Sequence, residues 1–178
     1  MSNAKKSARR KAIVEGIMTA LKNDEVFERL KYRQKTESEL QNRMAIPLNR
    51  TVARLFEEYK GYNPERAMSE ARVRFASEED PNTTVKNFMF MGAQHRPDFT
   101  IDFDDIRIAV EIKKGHSGQS VRECIGQSVV YNTNFDFTVV LYVDTSQDGR
   151  IRNGLQGERE QELLASLWTN HNVLLDVI

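Results

Sequence analysis

The stretch RPDFTIDFDDIRIAVEIKKG, from Arg96 to Gly115, alternates apolar and polar residues through two runs separated by an Asp-Asp pair. Phe99, Ile101 and Phe103 are interleaved with Asp98, Thr100 and Asp102. Ile106, Ile108, Val110 and Ile112 are interleaved with Arg107, Ala109, Glu111 and Lys113. A period of two in both runs predicts a hairpin whose strands each bury one face. With Asp104-Asp105 as the turn, Phe103 meets Ile106, Ile101 meets Ile108 and Phe99 meets Val110. On the opposite face Asp102 meets Arg107, and Asp98 meets Glu111. An odd loop would set apolar against polar along the whole ladder, which a buried face forbids. A four-residue loop keeps the same register, although Asp-Asp lacks the glycine usual in such turns.

Like charges facing each other across a sheet cost ~0.2–1 kcal/mol in water, and more as water is excluded. A bound cation is the economical offset. Two carboxylates with the main-chain carbonyl of Ile112 form an all-oxygen donor set that suits Mg²⁺ or Mn²⁺. Lys113 stands where it can orient a water or neutralise charge developing on a phosphate. A charged strand edge without function carries similar letters, so the pattern gains meaning from its surroundings.

Those surroundings read as an α/β chain. Apolar positions Ala8, Ala12, Ile13, Ile17, Ala20 and Leu21 recur at helical spacing, and a second short helix is expected after Asp24. Thr36 reads as an N-cap with Glu39 as its capping-box partner. The helix it opens carries Leu40, Met44, Leu48, Val52, Leu55 and Phe56, ends near Gly61, and is expected to kink or break at Pro47. Asn63-Pro64-Glu65 starts another helix. Its stripe is Met68, Ala71 and Phe75, unless Arg72–Ala76 is a strand. After the Asp80-Pro81-Asn82 loop, Phe88–Met91 reads as a strand leading into the hairpin. A helix over Gln119–Tyr131, a doubly covered strand over Phe137–Val143, a helix from Glu158 to Trp168 and a strand over Asn172–Ile178 complete the order.

Pro97-Asp98, twelve intervening residues, then Glu111-Ile112-Lys113 resembles the PD-(D/E)XK nuclease superfamily, to which restriction and recombination nucleases belong. Gln127-Ser-Val-Val-Tyr131 on the following helix is similar to the Q-x-x-x-Y motif of its RecB-like and Cas4-like branches. Glu37-Ser-Glu-Leu-Gln-Asn-Arg-Met-Ala-Ile-Pro47-Leu48 resembles the first helix of type I restriction-subunit nuclease domains, which brings a glutamate to the active site. Glu37 is the acid that alignment selects, and Glu39 is the one that capping selects. The resemblance spans residues 36–145. It implies a restriction-endonuclease-like sandwich with a mixed central sheet, and a Mg²⁺- or Mn²⁺-dependent nuclease acting on DNA in restriction, defence or repair. Asp98, Glu111 and Lys113 would be catalytic, with Gln127 and Tyr131 lining the substrate path. No G-x-x-x-x-G-K phosphate loop is present, so no motor accompanies the site.

Charge and cysteine usage bound the rest. The chain has 178 residues and no net charge, with 26 basic and 26 acidic side chains. Residues 1–35 carry ten Lys or Arg against four acids, and residues 36–178 balance that +6 with −6. The expected organisation is a basic helical arm over 1–35, serving phosphate binding or a dimer contact, and a nuclease-like domain over 36–178. Cys124 is the only cysteine, and no apolar run is long enough for a membrane span or a signal peptide, so a cytoplasmic protein is expected. His95, His116 and His171 have no zinc spacing. His116 and the basic segment Arg150, Arg152 and Asn153 are candidate phosphate contacts. Beside DNA, a second copy of the chain or a partner subunit is an expected partner. Two rival readings are a catalytically silent nuclease-like module for nucleic-acid binding or assembly, and a metal phosphoesterase acting on small nucleotides.

Overall fold

The computed structural model describes residues 3–22, 32–75, 85 and 87–178. The helix expected after Asp24 and the loop at Asp80-Pro81-Asn82 lie outside them. Helices α1 (Asn3–Leu21), α2 (Glu37–Lys60) and α3 (Pro64–Glu70) precede β1 (Arg72–Phe75), β2 (Phe88–Phe90), β3 (Ala93–His95), β4 (Phe99–Phe103) and β5 (Ile106–Gly115). Then come α4 (Gly118–Tyr131), β6 (Phe137–Asp144), α5 (Arg150–Gly154), α6 (Glu158–His171) and β7 (Val173–Val177). Five strands form a mixed sheet in the order β1-β4-β5-β6-β7. The first two junctions are antiparallel and the last two parallel.

The hairpin has the register its alternation predicts, with Phe99 opposite Val110, Ile101 opposite Ile108 and Phe103 opposite Ile106. The turn needs no glycine because Asp104 itself takes the left-handed conformation, φ 56°, which aspartate tolerates better than most residues. Cations hold both turn acids: Lys60 lies 2.7 Å from Asp104, and Lys6 and Arg10 lie 2.7 and 3.0 Å from Asp105. Asp102 stands opposite Arg107 as predicted, but its ion pair goes sideways to Arg74 on β1, at 2.8 Å. Arg107 covers the Phe135 ring instead.

One expectation about the hairpin is overturned. Its polar face is buried in part: Thr100, Ala109 and Glu111 are 7, 0 and 4 % exposed, whereas Asp102 is half-buried and Arg107 exposed. Burial divides between the two sides of the sheet with the strand period. Val139, Leu141 and Val143 join Ile108, Val110 and Ile112 under α1 and α2, whereas Val140 and Tyr142 pack with Cys124 of α4 and Leu167 of α6. Ile13, Val14, Ile17, Met18 and Leu21 bring α1 into the first of these cores. Lys22 of that segment pairs with Asp176 of β7 at 2.6 Å.

Pro47 neither ends nor divides α2, which runs unbroken for 24 residues. Proline removes one backbone hydrogen bond, and the stripe from Leu40 to Phe56 packed on the sheet outweighs that loss. The ambiguity after Asn63 resolves into both alternatives in series, since α3 stops at Glu70 and Arg72–Phe75 becomes the edge strand beside β4. Phe88–Phe90 is a strand, but it pairs with Ala93–His95 in a separate two-stranded ribbon and not with the central sheet.

Candidate active site

Strand length creates the site. β5 has ten residues and β4 five, and their pairing stops at Val110. Beyond that point no described strand lies beside this edge of β5, and a buried N–H without a partner is costly. Carboxylates take the place of the missing strand. Asp98 Oδ2 accepts the Ile112 N–H at 2.7 Å, and Glu37 Oε2 accepts the Lys114 N–H at 3.0 Å. In a strand the N–H and C=O of one residue point to the same edge, so the Ile112 carbonyl faces this gap too.

The first turn of α2 delivers Glu37. Thr36 caps the helix, accepting the Glu39 N–H at 3.2 Å, while the Glu39 carboxylate accepts the Thr36 N–H at 2.8 Å. Glu39 is thereby spent on the cap, and that hydrogen bond holds its carboxyl below the usual range. Glu37 faces the sheet, where its Oε1 lies 3.4 Å from Lys113 Nζ. One helical turn on, Gln41 donates to Asp98 Oδ1 at 2.6 Å. Lys114 fastens the approach to α2 by donating to the carbonyls of Tyr32, Arg33 and Lys35.

Glu111 enters from the other side of the sheet. Tyr131, buried on α4, donates its single phenolic proton toward Glu111 Oε2 at 3.0 Å and the Arg96 carbonyl at 3.1 Å. Gln127 donates to the same phenol oxygen at 2.6 Å. Gln127 and Tyr131, the pair expected to line a substrate path, form a hydrogen-bond chain to Glu111 in which Gln127 is partly exposed and Tyr131 buried. Ser128, fully buried on the same helix, donates to the Cys124 carbonyl.

The electrostatics follow from burial. It raises Asp98 to about 7, an effect that the Glu37 charge reinforces and the Ile112 N–H and Gln41 amide oppose. Burial and then the Asp98 charge raise Glu111 to about 8, against the Tyr131 hydroxyl and the Lys113 charge. Burial disfavours the Lys113 ammonium, but Glu37, Glu111 and Asp98 outweigh it and hold the group above its ordinary range. Cys124 is pushed up to about 12, chiefly by burial, and stays a thiol.

The structure therefore brings Asp98, Glu111, Lys113, Glu37 and the Ile112 main chain to one edge of β5, and leaves Glu39 outside as a cap. Gln41 and the Arg96 carbonyl are additions that sequence reasoning missed; the only signal was the four-residue spacing of Gln41 from Glu37. Among the described residues no group of three or more His, Cys, Asp or Glu is arranged to hold a metal ion. Arg150, Arg152 and Asn153 form the short helix α5, whose Ile151 and Arg152 N–H groups are taken by buried Asp144. His116 is exposed, and its carbonyl accepts from Arg150 at 2.8 Å. No described helix is long and apolar enough to cross a membrane. Compared with known proteins, the chain matches no family model, no curated protein and no solved structure.

Proposed function

We propose that this chain is a Mg²⁺- or Mn²⁺-dependent nuclease of restriction-endonuclease-like fold that hydrolyses phosphodiester bonds in DNA. The observation that carries the reading is the convergence of Asp98, Glu111 and Lys113 where β5 outruns β4. Two acids raised toward neutrality beside a lysine form a site that favours gaining a cation. The mixed sheet supports the fold reading, with an antiparallel hairpin followed by a helical crossover and a parallel strand.

Asp98, Glu111 and the Ile112 carbonyl would hold the ion. Once bound, it would neutralise the acid pair and ease the ionisation of water. Lys113 orients that water and counters charge developing on the phosphate, and Glu37 holds the ammonium in place. Gln41 fixes the Asp98 carboxylate, while Gln127 and Tyr131 fix Glu111. A silent binding module is the second reading, favoured by one observation: both Asp98 oxygens already have protein donors.

Plasmid and single-stranded DNA incubated with Mg²⁺ or Mn²⁺ separate the two. Glu111→Ala and Lys113→Ala are expected to lower cleavage by on the order of 10²-fold or more. Equal cutting by wild type and both variants would defeat the assignment. Salt-dependent DNA binding without cleavage under either metal would favour the silent module.

A further inference from the structure

The ribbon of β2 and β3 has no part in the central sheet and is built against local preference. Its two-residue turn is Met91-Gly92, with φ 49° and 79°. A turn with both central residues at positive φ favours Asn or Asp before Gly, and methionine there is strained by ~1–2 kcal/mol. Met91 is nonetheless 91 % exposed, and Met89, on the face of the ribbon away from Phe88 and Phe90, is 65 % exposed. Neither side chain is buried in the core. Conflicts of this kind between local preference and observed residue mark functional positions.

The position of the ribbon is informative. Phe88 packs edge-on against Tyr131, the phenol that donates to Glu111, and stacks on His95. His95 precedes Asp98 by three residues, a span of at most about 11 Å. The ribbon thus stands beside the acid pair. Its chemistry also indicates what it meets. From Asn87 to Pro97 the chain has no acidic residue but carries His95 and the exposed Arg96. In a chain with as many acids as bases, an acid-free segment with exposed apolar tips beside a phosphodiester site matches a nucleic acid: cations for the backbone and polarisable side chains for base faces.

We propose that the β2–β3 ribbon is a nucleic-acid finger that sets Met89 and Met91 against the bases flanking the phosphate held at the acid pair. The inference rests on the nuclease reading for its placement and goes beyond it in assigning a second contact. The test is the double variant M89T/M91N. Asparagine suits the turn and threonine suits a strand, so the melting temperature is expected to hold or rise. Binding of fluorescently labelled DNA, measured by anisotropy with Ca²⁺ in place of Mg²⁺, is expected to weaken by about tenfold. The fluorescence of 2-aminopurine placed beside the cleaved phosphate should lose its binding-dependent change. If wild type cleaves DNA and the variant binds and cleaves equally well, the finger is overturned and the nuclease stands. If wild type never cleaves but its DNA binding depends on the two methionines, the nuclease falls and the finger stands. Unchanged DNA affinity with altered sedimentation would overturn the proposal in favour of a contact between copies of the chain. A wild type that neither binds nor cleaves DNA overturns both.

Discussion

At the scale of single residues the site is a problem in proton occupancy. Burial pushes Asp98 up to about 7 and Glu111 up to about 8 in the folded chain, against about 4 for either group when unfolded. From about pH 4 to pH 8 the folded state therefore binds more protons, so this contribution to stability is present below pH 4 and lost as pH rises through 7 and 8. Glu111→Gln removes one of the two titrations, and the charge beside Asp98, while keeping an acceptor for Tyr131. Thermal melts in EDTA should show the variant gaining on wild type by several degrees between pH 5 and 9. Mg²⁺ should close that difference by stabilising wild type alone. Asp98→Asn should behave likewise, because its amide can still accept from Ile112 and donate to a flipped Gln41. A gap that does not change with pH would mean the acids are not forced together. Tyr131→Phe should cost ~1–2 kcal/mol by leaving Gln127 and the Arg96 carbonyl without their partner. It should also raise the pH needed for metal-dependent stabilisation.

At the scale of elements, the first turn of α2 separates structure from chemistry within three residues. Glu39→Ala removes half a capping box and should lower stability by ~1 kcal/mol while leaving cleavage intact. Glu37→Gln retains an acceptor for the Lys114 N–H but discards the charge facing Lys113. It should spare the melting temperature and depress the cleavage rate. Comparing the two variants in both assays checks the division; matching effects would refute it. What was legible here follows from locality. The hairpin register could be read because a period of two and a buried face admit a single pairing. The capping box was equally local. The covered polar face of the hairpin could not be read, because α4, which buries Glu111, lies later in the chain and its alignment is set by packing. Short strands were the least legible. Neither Phe88–Phe90 nor Arg72–Phe75 carries in its own residues any sign of which sheet it joins.

At the scale of the whole molecule, α1 is a structural part of the sheet's core although its charge sets it apart in the sequence. Burying Ile13, Val14, Ile17, Met18 and Leu21 contributes on the order of 10 kcal/mol, comparable to the stability of a domain. Deleting residues 1–22 should therefore abolish cooperative unfolding followed by circular dichroism. A truncated chain that still melts in one sharp transition would contradict this.

The same hairpin has a kinetic consequence. Its strands are joined by two residues, so they can zip within microseconds, whereas β6 must wait for α4 to carry the chain across the sheet. Val110→Ala should then slow refolding, and Leu175→Ala on the far edge should mainly quicken unfolding, as the two limbs of a chevron would report. In that order of events the acids would come together early, in water, where repulsion is weak, and the later packing of α4 over Glu111 would make their proximity expensive.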